Sequence, residues 1–264
     1  IVSTYKPIIS LANIFTLSGF LFLISQWFCS YDSSARARKS SLPGSLSKVE
    51  KHYDCSYQSW QLKMNQFGAK AKLPYFRPHV TPSSVCAEFG ASSGNILGAL
   101  NCAHKVGIEL NACARDWGSK NLGLAYVERT SELRSDSFDF VYTTSVLEHV
   151  ECPLCEIREI YRVLHKGGIF VAQVPGMAPP SMKFKSNDIN KHLQVFGALE
   201  LGNTLVGAGF TVTPANCSSE VTQWPVDYER KFEELGEKGF QEASREWAKT
   251  HDKLVTTTCV AEKI

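Results

Sequence analysis

The sequence predicts an α/β protein built on a doubly wound, mostly parallel, Rossmann-like sheet of seven strands, preceded by one membrane-spanning helix. Two observations carry this prediction. Short apolar strand patterns alternate with helical patterns from Thr81 onward, and an uncharged run of 21 residues lies near the start of the chain. Strands that alternate with helices in this way form a parallel sheet. A chain of 264 residues, 44% of them hydrophobic, is long enough to bury such a core.

Each predicted strand is a short apolar stretch bounded by turn residues. In chain order, the strands are expected at 84–89, 106–110, 122–127, 138–144, 169–174, 210–213 and 256–262. Helices are expected at 94–103, after the fourth strand as far as Lys166-Gly167-Gly168, and at 196–207, because apolar residues there recur at helical spacing. Residues 49–76 carry scattered aromatic side chains and are expected to be helical where proline is absent.

The uncharged run Ile8–Phe28 would span about 31 Å as a helix, which matches the hydrocarbon core of a bilayer. An uncleaved targeting sequence or a partner-bound helix would account for the same run. Basic residues follow the run and predict that the C-terminal part faces the cytosol, matrix or stroma. The predicted organisation is a membrane anchor at 1–30, a linker and helical lead-in at 31–79, and the α/β domain at 80–264.

The charge and the cysteine content limit the partners. A net charge of +2 does not favour a nucleic-acid partner, because phosphate binding generally requires a basic surface. The nine cysteines are irregularly spaced, and the single pair Cys152 and Cys155 does not provide a zinc ligand set. We therefore predict no metal site. Cysteines that act as small apolar residues agree with a reducing compartment, and a disulfide or redox role for Cys152 and Cys155 is the alternative.

Ligands of an open parallel sheet bind outside the carboxyl ends of its strands. The first strand is followed by a loop in which Gly90 and Gly94 allow tight turning, although an ordinary strand–helix connection would explain them equally well. Glu109 comes about 20 residues later, at the end of the second strand, where a carboxylate can accept hydrogen bonds from a ribose. This spacing favours a ligand that contains a nucleoside.

Four sequence blocks make the chain resemble a known family from about residue 80 onward. They are EFGASSG (88–94), GIELN (107–111), SFDFVYTTSVLEHV (137–150) and EIYRVLHKGGIFVAQVPG (159–176). The chain resembles the class I S-adenosylmethionine-dependent methyltransferases, in particular types 11 and 23, which act on small molecules. The resemblance implies the seven-stranded methyltransferase sheet, S-adenosylmethionine as cofactor, and a small-molecule acceptor.

The resemblance also implies roles for individual residues. Glu88, Gly90, Ser92 and Gly94 match the family's first cofactor loop, and Glu109 matches the acidic residue that holds the ribose hydroxyls. Thr143 and Leu147 match the wall beside cofactor and substrate. His149 could accept a proton from the acceptor, or it could orient the following helix. His192 lies where relatives often place a group that contacts the substrate.

Three positions depart from the family pattern. Ser92 stands in place of the middle glycine of the cofactor loop, Glu128-Arg129-Thr130 replaces a Gly-Asp pair after the third strand, and Lys166 precedes Gly167 without the usual proline. Two hypotheses therefore remain open. The first is a membrane-anchored methyltransferase that acts on a small or lipid-like acceptor. The second is a catalytically degenerate, methyltransferase-like accessory subunit of a membrane complex.

Overall fold

In the computed structural model, residues 53–176, 184–251 and 254–264 are described. The strands are β1 (Val85–Phe89), β2 (His104–Ile108), β3 (Ala125–Val127), β4 (Phe138–Thr144), β5 (Leu164–Pro175), β6 (Cys217–Thr222) and β7 (Leu254–Glu262). The α-helices are α1 (Cys55–Phe76), α2 (Asn95–Ala99), α3 (Ala112–Leu122), α4 (Pro153–Val163), α5 (Ala198–Ala208) and α6 (Tyr228–Ala248). Short 3-10 turns connect several of these elements.

The seven strands form one sheet in the order β3-β2-β1-β4-β5-β7-β6. Strands β1 to β5 are mutually parallel, but β7 runs antiparallel to both β5 and β6. The expectation of a mostly parallel sheet is therefore wrong, and the sheet is mixed. The reason is that β7 inserts between β5 and β6 and enters from the carboxyl-end edge of the parallel strands, directly after α6.

Alternation along the buried strands divides the core into two layers. On β4, Val141 packs against the cluster that contains α4 and α5, whereas Phe140 and Tyr142 pack against α1 and α2 on the other face. Successive side chains of a strand point to opposite faces, so a continuous apolar strand requires helices on both sides. A third cluster joins Phe67 on α1 to Phe240 on α6. Helix α1 is therefore a full part of the domain.

Several element boundaries differ from the predicted ones. Helix α4 ends at Val163, and the segment with Gly167 and Gly168 belongs to β5, so the predicted glycine stop is wrong. The predicted strand at 210–213 contributes only an isolated bridge between Thr211 and Glu262. The sequence analysis did not predict β6, a polar edge strand, or α6. The first helix continues through Pro74 to its end at Phe76.

Three disulfide bonds link described residues: Cys55–Cys113, Cys152–Cys155 and Cys217–Cys259. Among the described cysteines, Cys86 and Cys102 are free. The interpretation of the cysteines as free thiols is thus wrong for these six, and it no longer supports a reducing compartment. The cause is proximity in the fold, since Cys217 and Cys259 are register partners on β6 and β7.

The predicted anchor at residues 8–28 lies outside the described residues. Among the helices that are described, none is both long enough and apolar enough to cross a membrane.

Candidate active site

The loop after β1 is a left-handed turn held against the end of β2. Gly90, Ser92 and Gly94 all have positive φ values, of 73°, 46° and 70°. The backbone N–H of Gly90 donates to the carbonyl of Ile108 at 2.8 Å, and a Cβ at Gly90 would collide with Val146. A glycine is therefore required at residue 90, whereas Ser92 adopts a conformation that residues with a side chain rarely take.

The carboxylate of Glu109 lies directly against this loop. Glu109 follows the last residue of β2, and its Oε2 accepts from the backbone N–H of Ser92 at 2.7 Å, while Oε1 accepts from that of Asn111 at 2.8 Å. Burial raises the pKa of Glu109. The structure thus brings together the loop and the acidic residue that the sequence predicts to bind one nucleoside ligand.

Ser92 directs its hydroxyl toward α1. Its Oγ donates to Oε1 of Gln58 at 2.8 Å and accepts from Nδ2 of Asn65 at 3.1 Å. These bonds offset part of the cost of the left-handed backbone. Ser92, which replaces the glycine of the family pattern, therefore joins the loop to α1 through hydrogen bonds.

The loop after β3 contains a carboxylate, although not at the family position. Oε1 of Glu132 accepts from the backbone N–H groups of Glu128 and Arg129, at 2.9 and 2.7 Å. Arg129 departs from the family pattern, but the same loop contains the acidic side chain of Glu132, which binds the backbone of that loop.

Thr143 and Leu147 lie in the interior. The hydroxyl of Thr143 donates to the carbonyl of Phe89 at 2.9 Å and ties the end of β4 to the end of β1. Leu147 is fully buried in the cluster around α4 and α5. Both residues support the floor of the site from within the core.

Glu148, His149 and His192 come together beyond β4. Oε1 of Glu148 lies 3.6 Å from Nε2 of His149, and the rings of His149 and His192 have centroids 4.8 Å apart. Glu148 is 1% exposed, and in the described part of the chain neither of its carboxylate oxygens has a hydrogen-bond partner. Burial raises the pKa of Glu148 to about 7 and lowers that of His192. Their ligand atoms all lie within 4.8 Å of one another, so these three side chains could also hold a cation.

The tautomer of His149 follows from its neighbour Tyr53. The hydroxyl of Tyr53 lies 2.8 Å from Nδ1 of His149 and 3.0 Å from the backbone carbonyl of Asn190. A carbonyl only accepts, so the single Tyr53 proton goes to Asn190, and Nδ1–H of His149 donates to the Tyr53 oxygen. In the neutral ring, Nε2 then carries the lone pair, and it faces Glu148.

Comparisons with known proteins agree with this geometry. Residues 87–172 match the family model of the methyltransferase domain. A Thermotoga maritima S-adenosylmethionine-dependent methyltransferase superimposes with a TM-score of 0.56 at 19% identity, covering 82% of this chain and all of that one. The chain has the fold of an S-adenosylmethionine-dependent methyltransferase. No curated protein sequence matches it.

Two further methyltransferase structures show the range of neighbours. One is the protein bound to the Haloferax volcanii methyltransferase activator Trm112, with a TM-score of 0.57, 16% identity and coverage of 83% of this chain and 99% of that one. The other is Haemonchus contortus phosphoethanolamine N-methyltransferase 2, solved in complex with phosphomonomethylethanolamine and S-adenosylhomocysteine. It superimposes with a TM-score of 0.53 at 15% identity, covering 74% of this chain and 52% of that one. This chain thus spans about half of the nematode enzyme.

The sequence analysis of the methyltransferase fold missed the contribution of α1. This helix contacts the site through Gln58 and Asn65, and Nζ of Lys72 donates to Oγ1 of Thr144 at 2.8 Å. The Cys55–Cys113 disulfide ties the start of the helix to α3. The only available signal was the dense run of aromatic and polar residues at 53–76, which does not specify where a helix packs.

Glu88 should make the stability of the methyltransferase domain depend on pH. Burial raises the pKa of this carboxyl from 4.5 to about 8, so between these values the folded state keeps a proton that the unfolded state has lost. Stability then falls as pH rises, by up to about 1.4 kcal/mol per unit, and levels off above pH 8. We expect Glu88→Gln, which cannot ionise, to reduce this slope in urea unfolding curves between pH 5 and pH 8. The exposed Glu233→Gln is the control, and parallel profiles for Glu88→Gln and the native chain would contradict the assignment.

Proposed function

We propose that this protein transfers a methyl group from S-adenosylmethionine to a small acceptor. The observation that carries the proposal is the 2.7 Å contact between the backbone N–H of Ser92 and the carboxylate of Glu109, which joins the two cofactor elements of the fold. The match to the methyltransferase domain and the nematode neighbour solved with S-adenosylmethionine support this cofactor. The residues fit it, since Gly90 and Gly94 shape the left-handed loop, and Glu109 can accept from ribose hydroxyls through the lone pairs that its two backbone donors leave open.

In the proposed reaction, the residues of this chain position the reactants and manage a proton. When bound, S-adenosylmethionine would supply a methyl group activated by a sulfonium, and the loop after β1 together with Glu109 would hold it for transfer to a lone pair of the acceptor. Nε2 of His149 accepts the proton that the acceptor loses, while Tyr53 fixes the orientation of the ring. Glu148 lies 3.6 Å from Nε2 and stabilises the resulting imidazolium when it ionises. We assign His192 to the acceptor side of His149.

A second candidate function is a methyltransferase-like accessory subunit without turnover. The observation that favours it is the left-handed backbone of Ser92, because its hydrogen bonds to Gln58 and Asn65 hold the loop in one position. The amides of Ser92 and Asn111 already donate to the two oxygens of Glu109, so fewer of its lone pairs remain for a ribose.

Cofactor binding separates the two candidates. We expect the native chain to bind S-adenosylmethionine with a dissociation constant on the order of micromolar in calorimetry, which corresponds to the low end of typical KM values. We expect Ser92→Gly with Arg129→Asp to gain less than about threefold, since the relief of strain at Ser92 is offset by the loss of its hydrogen bonds. Millimolar binding by the native chain that the double change tightens severalfold would favour the accessory subunit instead.

We also propose that residues 8–28 anchor the protein in a membrane, with the methyltransferase domain on the side of the basic flank, where an amphipathic or lipid-like acceptor would be available. The uncharged run and the basic residues that follow it support this proposal. Extraction of membranes with alkaline carbonate tests it: an anchored protein stays in the pellet, and release of the intact chain would reject the anchor.

A further inference from the structure

A cavity of about 80 Å³ lies at the carboxyl-end edge of the sheet, on the side of β4 where β5, β7 and β6 follow in the sheet order. It is enclosed by α1, α6 and the adjoining ends of β5, β6 and β7. The polar residues that line it include Lys72, Gln173, Ser244 and Arg245, and Trp224 and Phe240 form apolar walls. The loop after β1 and Glu109 occupy the other half of the same edge, so the cavity is separate from the predicted cofactor elements.

The charged side chains that line the cavity directly are both basic. Lys72 and Arg245 line it, and none of the described residues that line it is acidic. Nζ of Lys72 donates to Oγ1 of Thr144, which leaves two of its three protons for other acceptors. Lys72 keeps accessible surface because it borders the cavity, while its ammonium group is deep enough for burial to lower its pKa. The carboxyl groups of Glu148 and Glu88 also act on Lys72, and an anion in the cavity that Lys72 lines would accept one of its remaining protons.

Ser244 provides a second, independent observation. Its side chain is 4% exposed, and within the described residues its Oγ has no hydrogen-bond partner. A buried hydroxyl without a partner is costly, and a ligand oxygen in the cavity would remove that cost. The two cations and this hydroxyl thus form a set of donors around one small space.

We infer that this cavity binds a carboxylate group of the methyl acceptor. The inference rests on the proposed function and names its substrate class. A carboxylate fits better than a phosphate because Glu220 lies 3.5 Å from Arg245, and Glu148 and Glu88 act on Lys72, so at most one positive charge is left uncompensated. The remainder of the acceptor extends past Thr144 toward His149, with the nucleophile at the far end from the carboxylate.

Acetate and acetamide, which have the same shape but differ in charge, test this inference on the full chain. Ligand-observed NMR is expected to give millimolar binding of acetate and at least about tenfold weaker binding of acetamide, the loss expected for one charge-assisted contact. Lys72→Met should weaken acetate binding by about tenfold or more. Lys70→Met, on the exposed side of the same helix, is the matched control and should stay within about twofold of the native chain.

Three results would overturn the inference: equal binding of acetate and acetamide, full retention of acetate binding by Lys72→Met, or a preference for inorganic phosphate. If Lys72→Met does not fold, Arg245→Gln at the rim should still weaken acetate binding severalfold, and unchanged binding would equally reject the site. Calorimetry with S-adenosylmethionine on the same variants separates the two proposals. Selective acetate binding without cofactor binding would defeat the proposed function, whereas intact cofactor binding without acetate selectivity would defeat only the carboxylate site.

Discussion

Replacing Cys55 and Cys113 by serine is expected to lower the free energy of unfolding by about 4 kcal/mol. The two cysteines are 58 residues apart in the sequence, and their Cα atoms are 5.4 Å apart. A bond that closes so long a loop restricts the unfolded chain strongly, and the restriction grows with loop length. Urea unfolding of the purified chain under non-reducing conditions measures the change.

The matched control replaces Cys152 and Cys155, which are only three residues apart, and is expected to cost about 2 kcal/mol. Labelling of free thiols in the unfolded, unreduced chain checks the premise directly. If all cysteines react before reduction, or if the Cys55 and Cys113 variant is as stable as the native chain, the cross-link does not form. That result would restore the argument for a reducing compartment.

Glu109→Ala is expected to weaken S-adenosylmethionine binding by about 2 kcal/mol, or roughly thirtyfold. The change removes a carboxylate that would hold the ribose through charge-assisted hydrogen bonds. It also removes the acceptor for the Ser92 amide, so the loop after β1 stays joined to the end of β2 only through the backbone bonds of Gly90 and Ala91 to Ile108. Calorimetric titration of the native chain and the variant gives the ratio of the two dissociation constants.

Glu233→Ala, an exposed glutamate on α6, serves as the control for charge alone and should leave the affinity unchanged. Circular dichroism establishes whether Glu109→Ala is folded before its affinity is interpreted. A folded Glu109→Ala variant that binds as tightly as the native chain would show that another residue holds the ribose.

The sequence was sufficient to predict most of the buried strands and to place Gly90 and Glu109 at the ends of the first two. Strand β4 was predicted with its observed bounds, Phe138–Thr144, because six of its seven residues are of strand-forming type and turn residues flank it. Gly90 and Glu109 were linked by spacing alone, and the fold places them at one edge. In both cases the prediction rests on a pattern within a short stretch of sequence, and the tertiary structure retains such local patterns.

Contacts between distant parts of the chain could not be predicted in this way. Tyr53 contacts His149 at a sequence separation of 96 residues, and Lys72 contacts Thr144 at a separation of 72. No periodic pattern in the sequence predicts either contact. Strand β6 was not predicted because it is an edge strand with one hydrogen-bonded neighbour and a polar sequence, so its apolar pattern is weak. The disulfide bonds were not predicted for the same reason, since their formation depends on which distant parts of the chain become neighbours in the fold.

The position of β7 has a consequence for synthesis on the ribosome. This strand carries residues 254–262 and fills the gap between β5 and β6. Until it emerges, the side of β5 away from β4 has no partner and β6 has no strand to pair with, although both have already been translated. The nascent chain can therefore assemble β1 to β5 early, but β5 and β6 must keep unpaired edges until β7 arrives. Chaperone binding during that interval should concentrate on β5 and β6.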